Sequence, residues 1–372
     1  MHKPALVVAA AGGATFLAGL VMPTLAAALE RRLAAPAPAA PLTDLGARPS
    51  IEVVVPAYLE ASTVGECVRT LHEALKGYEG PSSVTVVASD PGTAAAAREA
   101  GADEVVETGR TGKPAAANLG AARSTADVLV FTDANCVVGP ADWPQRVVDD
   151  LRRAHLVSAN KQERGRGEGA FWRYEQRAKE QLVAGGGSIS VVGEFIATRR
   201  TDFLPAPAGA ILDDLWLAVE YLLRDRVVLV DPELHTLEDS AGNREQWGRR
   251  LRIMRGLLEE MVPRVPELVT RPAGRMFVAH KLYRATVGAA GFWVGAAAAS
   301  VVAPPVTLVA LPAAVAAGAA YAGRLAPDAT LPAPVAALGM QAVPPAALWT
   351  TLVRRLRPRP APATTGWEKI AR

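Results

Sequence analysis

The chain has 372 residues, half of them apolar, and its formal net charge is only +3 at pH 7. So small a net charge gives no reason to expect a nucleic acid partner. The apolar share is high for a wholly soluble protein and predicts membrane segments. Cys67 and Cys136 lie far apart in no metal-ligand spacing, which argues against a disulfide framework or a zinc site and fits a reducing compartment.

The first predicted element is an apolar helix. No charge occurs from Pro4 to Leu29, and this run is long enough to cross a hydrocarbon core of roughly 30 Å. A cleaved signal peptide is the competing interpretation, but its apolar core is normally only roughly 7–15 residues long. We therefore interpret 1–32 as a transmembrane anchor, followed by an Ala- and Pro-rich linker over 33–49. The two arginines that close the anchor outweigh Lys3 and predict a cytosolic domain after it.

Short apolar segments then alternate with helical patterns. The predicted strands are Ile51–Val55, Val84–Ala88, Glu104–Val106 and Val128–Phe131, and helices are predicted over about 63–75, up to about Gly101, and over Ala115–Ala122. This alternation is typical of a parallel α/β sheet that is covered by helices on both faces. Ligands of such sheets bind beyond the carboxyl ends of the strands.

The remaining chain is predicted to be mainly helical. A less regular, more helical region from Asp142 onward closes a catalytic domain of residues 50–256. Charged and apolar residues alternate over 257–282, which predicts an amphipathic segment at the membrane surface. The C-terminal membrane region, 283–353, is predicted to hold two tight passes broken by a Pro-Pro pair and a proline-interrupted stretch. We interpret that stretch as re-entrant, with spanning as the alternative, because this keeps the basic tail, 354–372, in the cytosol.

Polar residues follow three of the predicted strands. They are Pro56–Glu60 after the first strand, Ser89-Asp90 after the second and Thr132–Asn135 after the fourth. Three acidic turns on one sheet edge are more than turns require, and they suit a nucleotide with a metal-bound diphosphate. Asp133 and Asn135 can both reach a Mg²⁺ or Mn²⁺ ion, which would stabilise a leaving diphosphate. A turn or helix-cap role for Asp133 is the alternative.

Two adjacent acids, Asp213 and Asp214, stand in an apolar run. Neighbouring helix residues point in different directions, so one acid can begin the helix while the other faces a cleft. A carboxylate in a cleft can act as a general base on a hydroxyl. The alternative is that both acids merely favour the helix start.

These motifs, in this order, resemble family 2 glycosyltransferases, which are inverting enzymes of the GT-A fold. The resemblance rests on Ile51–Glu60, Ser89-Asp90, Gly112–Gly120, Phe131–Asn135, Phe171–Glu175, Gly193–Phe195, Asp213-Asp214, Arg226–Val228 and Arg249–Ile253. It covers roughly residues 50–260. Two further segments, His280-Lys281 and Trp367–Lys369, are similar to membrane members that make polysaccharides or glycolipids.

The resemblance implies an α/β, Rossmann-like nucleotide-sugar domain with a mainly parallel sheet, flanked by transmembrane helices. It implies that the nucleotide sugar is bound by Pro56, Ala57, Tyr58, Glu60, Asp90, Lys113, Asp133, Arg250 and Arg252. It also implies Asp133 and Asn135 as metal ligands, Asp214 as general base, and Gly193, Glu194 and Asp213 as the acceptor region. The arginines can be interpreted in two ways, as diphosphate ligands or as a basic face on anionic lipid.

The sequence departs from the family pattern at several positions. Leu59 stands where many members have Asn, and Val192 stands where a polar residue is common. Arg249 and Ile253 replace the Gln and Trp of the Q-x-x-R-W motif, and Asn135 brings no charge to a metal. These changes argue against processive polymerisation more than against sugar transfer.

The expected function is therefore a multi-pass cell-membrane glycosyltransferase with a cytosolic catalytic domain. It is expected to move a sugar from a nucleotide-diphosphate sugar, in the first instance a UDP-sugar, to a hydroxyl of a lipid-linked or glycan acceptor. The main alternative is a non-catalytic membrane scaffold that retains the nucleotide-sugar pocket. Another α/β nucleotide enzyme is disfavoured because no G-x-G-x-x-G and no P-loop occur.

Overall fold

The structure is a computed structural model that describes residues 3–33, 40–164, 191–239, 243–305 with 307 and 309, and 333–356. The motifs at Phe171–Glu175 and Trp367–Lys369 lie outside this range. The chain divides into two compact units, one formed by Ala34–Gly167, Trp172–Ser240 and Ala363–Arg372 and the other by Met1–Leu33, Glu168–Phe171 and Ala241–Pro362. We call them the sheet unit and the helical unit.

The sheet unit is an α/β domain. Its strands are β1 (Ile51–Ala57), β2 (Ser82–Ala88), β3 (Glu104–Glu107), β4 (Val128–Thr132), β5 (Val137–Gly139), β6 (Leu156–Arg164), β7 (Phe195–Arg199) and β8 (Val228–Asp239). The helical unit begins with α1 (Lys3–Leu33), and the helices of the sheet unit are α2 (Val64–Leu75), α3 (Pro91–Glu99), α4 (Lys113–Arg123), α5 (Trp143–Leu151) and α6 (Asp213–Leu223). The strands and helices predicted before residue 132 are all confirmed, with ends that shift by a few residues.

The strands form one sheet of eight in the order β3-β2-β1-β4-β7-β6-β8-β5. The first four strands run parallel to one another, and Ala57 at the end of β1 pairs with Ala88 at the end of β2. The residues that follow β1, β2 and β4 therefore share one edge of the sheet. This confirms the predicted placement of the three polar turns.

Both faces of the parallel half are buried. Val53 and Val55 belong to the larger core cluster, while Val54 packs in the cluster on the opposite face of the sheet. Helix α4 approaches that second face so closely that a Cβ atom at Gly120 would lie 2.4 Å from Val54 Cγ1. Apolar residues on both faces are what a covered parallel sheet requires.

The other half of the sheet lies where the sequence predicts a more helical, less regular region, from Asp142 to about Gly256. Residues 156–164, 195–199 and 228–239 are strands. They were missed because each has only a short apolar run, and buried positions such as Lys161 and Arg199 carry charge. Strand β8 also contains Pro232, opposite the register shift in β6 between Ser158 and Asn160.

Strand β7 runs antiparallel to β4, and Phe195 pairs with Thr132. The segment that enters β7, Gly193-Glu194, therefore lies beside the carboxyl end of β4. This reversal adds the residues before β7 to the edge that carries the polar turns.

The helical unit continues after the sheet with α7 (Asn243–Gly256), short helical turns over residues 257–288, α8 (Ala289–Val302) and α9 (Ala333–Leu356). Helix α8 ends two residues before Pro304, where the predicted break lies. Within the described residues, one helical stretch, Arg284–Val302, is long and apolar enough to cross a membrane. The apolar stretch Lys3–Gly19 of α1 is shorter. The membrane anchor, the re-entrant stretch and the other predicted boundaries stay predictions.

Helices α1 and α8 pack through small residues. A Cβ atom at Gly12 would lie 2.5 Å from the backbone nitrogen of Gly295, and one at Gly291 would lie 2.9 Å from the Thr15 Cβ atom. Phe16 and Phe292 add a ring contact with centroids 5.3 Å apart. Close backbone approach through Gly is typical of helices that associate within membranes.

A buried carboxyl makes the stability of the sheet unit depend on pH. Burial raises the pKa of Asp150 to about 6; Arg153 opposes the shift and Asp231 adds to it. Between about pH 4 and pH 6 the folded protein holds this proton while the unfolded chain has released it. Stability therefore falls as the pH rises through this window, by up to roughly 3 kcal/mol.

Asp150→Asn should remove this penalty, because the amide resembles the neutral acid. We expect the variant to unfold at higher denaturant concentration than the wild type at pH 7.5 and at a similar concentration near pH 4. The neighbouring exposed acid supplies the control, and Asp149→Asn should shift neither midpoint. An Asp150→Asn variant less stable than wild type at pH 7.5 would contradict the assignment.

Candidate active site

The loop after β1 is held in an uncommon backbone conformation. Leu59 has a φ of +53°, which is in the left-handed region. Its N–H donates to Asp90 Oδ2 at 2.7 Å, and the N–H of Glu60 donates to Thr93 Oγ1 at 2.9 Å. The turns after β1 and β2 are thus bonded to each other.

Asp90 also fixes the start of the helix that follows β2. It is the N-cap of α3, and its Oδ1 atom accepts from the Thr93 N–H at 2.9 Å. Burial alone would raise the pKa of Asp90, but the backbone N–H groups of Thr93 and Leu59 lower it below its usual value. The predicted nucleotide ligand Asp90 is therefore an ionised cap that fixes the loop beside the cleft.

The positive φ of Leu59 predicts that a substitution at this position can raise the free energy of unfolding. A left-handed conformation costs a branched side chain about 1–2 kcal/mol, and Asn tolerates it better. Because the Leu59 side chain is 56% exposed, its loss costs little packing. Leu59→Asn should raise the free energy of unfolding by about 1 kcal/mol, measured by urea denaturation. Leu59→Ala relieves no strain and should bring no gain, and an equal gain from both variants would refute the strain argument.

Helix α4 begins at this edge with a basic residue. Its N-cap is Gly112, whose φ of +91° suits glycine, and its first residue is Lys113. Lys113 Nζ donates to Asp133 Oδ1 and to the Gly193 carbonyl, the latter at 2.7 Å. Burial alone would lower the pKa of Lys113, but the carboxylates, led by Asp133, outweigh it and raise this pKa above its usual value. The side chain therefore stays cationic.

An open cleft lies between these turns, with about 570 Å³ of empty volume. It is lined by Pro56, Ala57, Tyr58, Glu60, Ser89, Arg110, Gly112, Lys113, Ala116 and Asp133. Six of the predicted nucleotide-sugar ligands are among them. The structure thus brings residues at the carboxyl ends of all four parallel strands, β1 to β4, into one concave site.

Arg110 was missed by the sequence interpretation. Its guanidinium carbon lies 4.9 Å from the centroid of the Tyr58 ring, which is within cation–π range. The available signal was a basic residue three positions before Lys113 in the same loop. An arginine placed over an aromatic ring at the cleft suits an anionic nucleotide.

The predicted metal ligands share the turn after β4. Ala134 is fully buried, while Asp133 and Asn135 on either side of it are half-buried. The described residues hold no group of three or more His, Cys, Asp or Glu side chains fit for a metal. One carboxylate and one amide oxygen instead fit Mg²⁺ or Mn²⁺, which take few protein ligands when a diphosphate supplies the rest.

Asp214 lies in the first turn of α6, where its Oδ1 atom accepts from the Leu215 N–H at 2.7 Å. A Cβ atom at Gly193 would lie 3.2 Å from Asp214 Oδ2, so this carboxylate packs against the Gly193 backbone. The Gly193 carbonyl also holds Lys113. Gly193 therefore connects the predicted base with the residues of the cleft.

A side chain at position 193 should disturb this arrangement. The Cβ atom of Gly193→Ala would lie 3.1 Å from Asp214 Cβ, which is tighter than ordinary contact. We expect the carboxylate to shift by a few tenths of an ångström and turnover to fall by about tenfold, with little change in melting temperature. Nucleotide release by the variant measures this, and wild-type turnover would contradict it.

Glu194, a residue of the predicted acceptor region, has partners within the sheet unit. Its carboxylate is buried and bonded to Lys161 and Thr236. Arg250 and Arg252 lie on α7, which belongs to the helical unit. Their diphosphate role stays a prediction, as does the acceptor role of Asp213.

The glycosyl transferase family 2 profile matches residues 52–204. Apart from Ile51, this range contains β1 to β7 and every residue that lines the cleft. The chain carries a family 2 glycosyltransferase domain. It is accordingly a glycosyltransferase with an α/β fold of the GT-A type.

Solved structures are similar to this glycosyltransferase, whereas no curated protein matches it significantly. A mannosyltransferase from Pyrobaculum calidifontis, in complex with GDP-Man and Mn²⁺, is 23% identical, with a TM-score of 0.67 over 94% of this chain and 99% of that one. The glucosyl-3-phosphoglycerate synthase from Mycobacterium tuberculosis, with Mn²⁺, UDP and glucosyl-3-phosphoglycerate, is 19% identical, with a TM-score of 0.41 over 56% of this chain and 79% of that one. The first likeness extends over nearly the whole chain and shows a shared fold.

Proposed function

We propose that this glycosyltransferase is a membrane-anchored, inverting enzyme that uses a nucleoside-diphosphate sugar. The observation that carries the proposal is the convergence of Asp133, Lys113 and Asp214 around the backbone of Gly193, beside the cleft. A metal ligand, a fixed cation and a base are the groups that diphosphate departure and hydroxyl attack require.

In the proposed reaction the residues of the cleft hold the nucleotide, with the sugar directed toward Asp214. Asp214 takes the proton from the acceptor hydroxyl as its oxygen bonds to the anomeric carbon. The bond from that carbon to the diphosphate breaks on the opposite face, so the anomeric configuration inverts. A divalent ion held by Asp133 and Asn135, Mg²⁺ or Mn²⁺, would neutralise charge on the leaving diphosphate. Lys113 adds a second fixed positive charge at the same place.

Different observations support the donor and the acceptor. The family resemblance favours a UDP-sugar, while the Pyrobaculum mannosyltransferase was solved with GDP-Man. The apolar stretch Arg284–Val302 and the small-residue contact of α1 with α8 support a place at the cell membrane. The two arginines that close the anchor favour a cytosolic catalytic domain. A lipid-linked or glycan acceptor at the membrane surface fits that place.

The test is release of free nucleoside diphosphate by the detergent-solubilised full chain. Panels of UDP- and GDP-sugars are offered with Mn²⁺ or Mg²⁺, with and without a membrane lipid extract as acceptor. We expect release from one donor that depends on both metal and lipid extract. Donor binding without release under every condition would favour the non-catalytic scaffold instead.

A further inference from the structure

A buried ion pair lies behind the cleft and outside its lining. Lys161 Nζ on β6 donates to Glu194 Oε1 at 2.5 Å, and the two side chains are 1% and 9% exposed. Thr236 Oγ1 on β8 donates to Glu194 Oε2 at 3.0 Å. Side chains from two neighbouring strands thus hold the carboxylate that precedes β7.

The backbone of the same residue faces the site. The Glu194 carbonyl accepts from Thr132 Oγ1 at 2.9 Å and from the Asp133 N–H at 3.3 Å. The preceding carbonyl, that of Gly193, accepts from Lys113 Nζ. The Gly193-Glu194 segment therefore accepts hydrogen bonds from the Asp133 backbone and from Lys113. Lys113 also bonds to the Asp133 carboxylate, the proposed metal ligand.

Stability alone does not explain why a buried ion pair occupies this place. Removing two charges from water costs several kcal/mol per ion, and apolar residues of equal volume often replace a buried pair without loss. What apolar residues do not supply is a directed bond that fixes the orientation of the Glu194 peptide. Partners behind a metal ligand typically change metal affinity by about 10- to 100-fold when they are removed.

We propose that Lys161 is a positioning residue for the metal-diphosphate site. Through Glu194 it sets the Gly193-Glu194 backbone, which in turn places Asp133, Lys113 and Asp214. This inference rests on the proposed function, and it assigns Glu194 to the support of the site instead of to acceptor contact.

The test uses Lys161→Met in the full-length protein, because methionine keeps the length of the side chain and removes its charge. The matched control is Arg199→Met, which breaks the buried pair of Arg199 with Asp202 at the other end of β7. The affinity for Mn²⁺ is measured by electron paramagnetic resonance in the presence of UDP and, separately, of GDP. Melting temperatures of all proteins are recorded alongside.

We expect Lys161→Met to weaken nucleotide-dependent Mn²⁺ binding by about tenfold or more, while Arg199→Met stays within about twofold of wild type despite a similar loss of melting temperature. Should the single variant not fold, Lys161→Met with Glu194→Gln removes both charges together and should show the same loss. Unchanged Mn²⁺ affinity in a folded variant, or an equal loss in Arg199→Met, would overturn the positioning role alone. Absence of nucleotide-dependent Mn²⁺ binding in the wild type would overturn the proposed function and this inference together.

Discussion

Asp133→Ala should abolish metal-dependent nucleotide binding and lower sugar transfer by at least about 10³-fold. The carboxylate lines the cleft at the carboxyl end of β4 and is bonded to Lys113. Its loss removes the oxygen that we propose as a metal ligand and also the partner of a buried cation. Calorimetric titration with UDP or GDP in Mn²⁺ measures the binding, and nucleotide release measures the transfer.

The matched control for this variant lies at the opposite end of the same strand. Asp127 precedes β4, and its Oδ2 atom accepts from the N–H and the hydroxyl of Ser50 at 2.8 and 2.7 Å. Asp127→Ala should lower the melting temperature and leave nucleotide affinity unchanged. Wild-type nucleotide affinity in a folded Asp133→Ala variant would remove Asp133 from the metal site.

Asp214→Asn should lower turnover by about 10²- to 10⁴-fold while donor affinity changes only a few-fold. Asparagine keeps the shape of the side chain and its contact with the Gly193 backbone, but it accepts no proton at neutral pH. The loss should therefore fall on kcat and spare donor binding. Steady-state nucleotide release and calorimetry on the same preparation separate the two effects.

A variant of the neighbouring acid, Asp213, tests which of the two carboxylates acts as the base. Asp213 starts the same helix but points in a different direction from Asp214, because adjacent helix residues do not share a face. We expect Asp213→Asn to cost less than tenfold in turnover. A larger loss from Asp213→Asn than from Asp214→Asn would move the base to Asp213.

The parallel half of the sheet was predictable because its strands are mostly apolar. Strands such as Val128–Thr132 are buried on both faces and therefore appear in the sequence as nearly continuous apolar runs. Their order fixes a common carboxyl edge, so the polar turns after them could be assigned to one site. Six of the ten residues that line the cleft follow from that argument.

The mixed half of the sheet, β7-β6-β8-β5, was not predictable from pattern alone. Its strands include buried charged residues such as Lys161, and periodicity cannot reveal a charge that is neutralised by a partner distant in sequence, here Glu194. The same limit applies to Glu194, whose acceptor role stays a prediction. Its side chain looks like a functional acid in the sequence, and only the position of β6 beside β7 shows that it is bonded behind the site.

The structure gives a physical reason why Asn is common at position 59, where this chain has leucine. The sequence shows only that Leu59 stands where Asn is common in family 2 glycosyltransferases. The φ of +53° explains why Asn suits this position, and the bond from Leu59 to Asp90 shows what holds the loop in place with leucine there.

The most direct test of the central claim is calorimetric titration of the full chain with UDP and with GDP, in Mn²⁺ and then in EDTA. The account predicts that one of the two nucleotides binds in Mn²⁺, and that its binding is lost in EDTA and in Asp133→Ala. Absence of binding by either nucleotide in Mn²⁺ would contradict the assignment of the cleft as a metal-dependent nucleotide-sugar site.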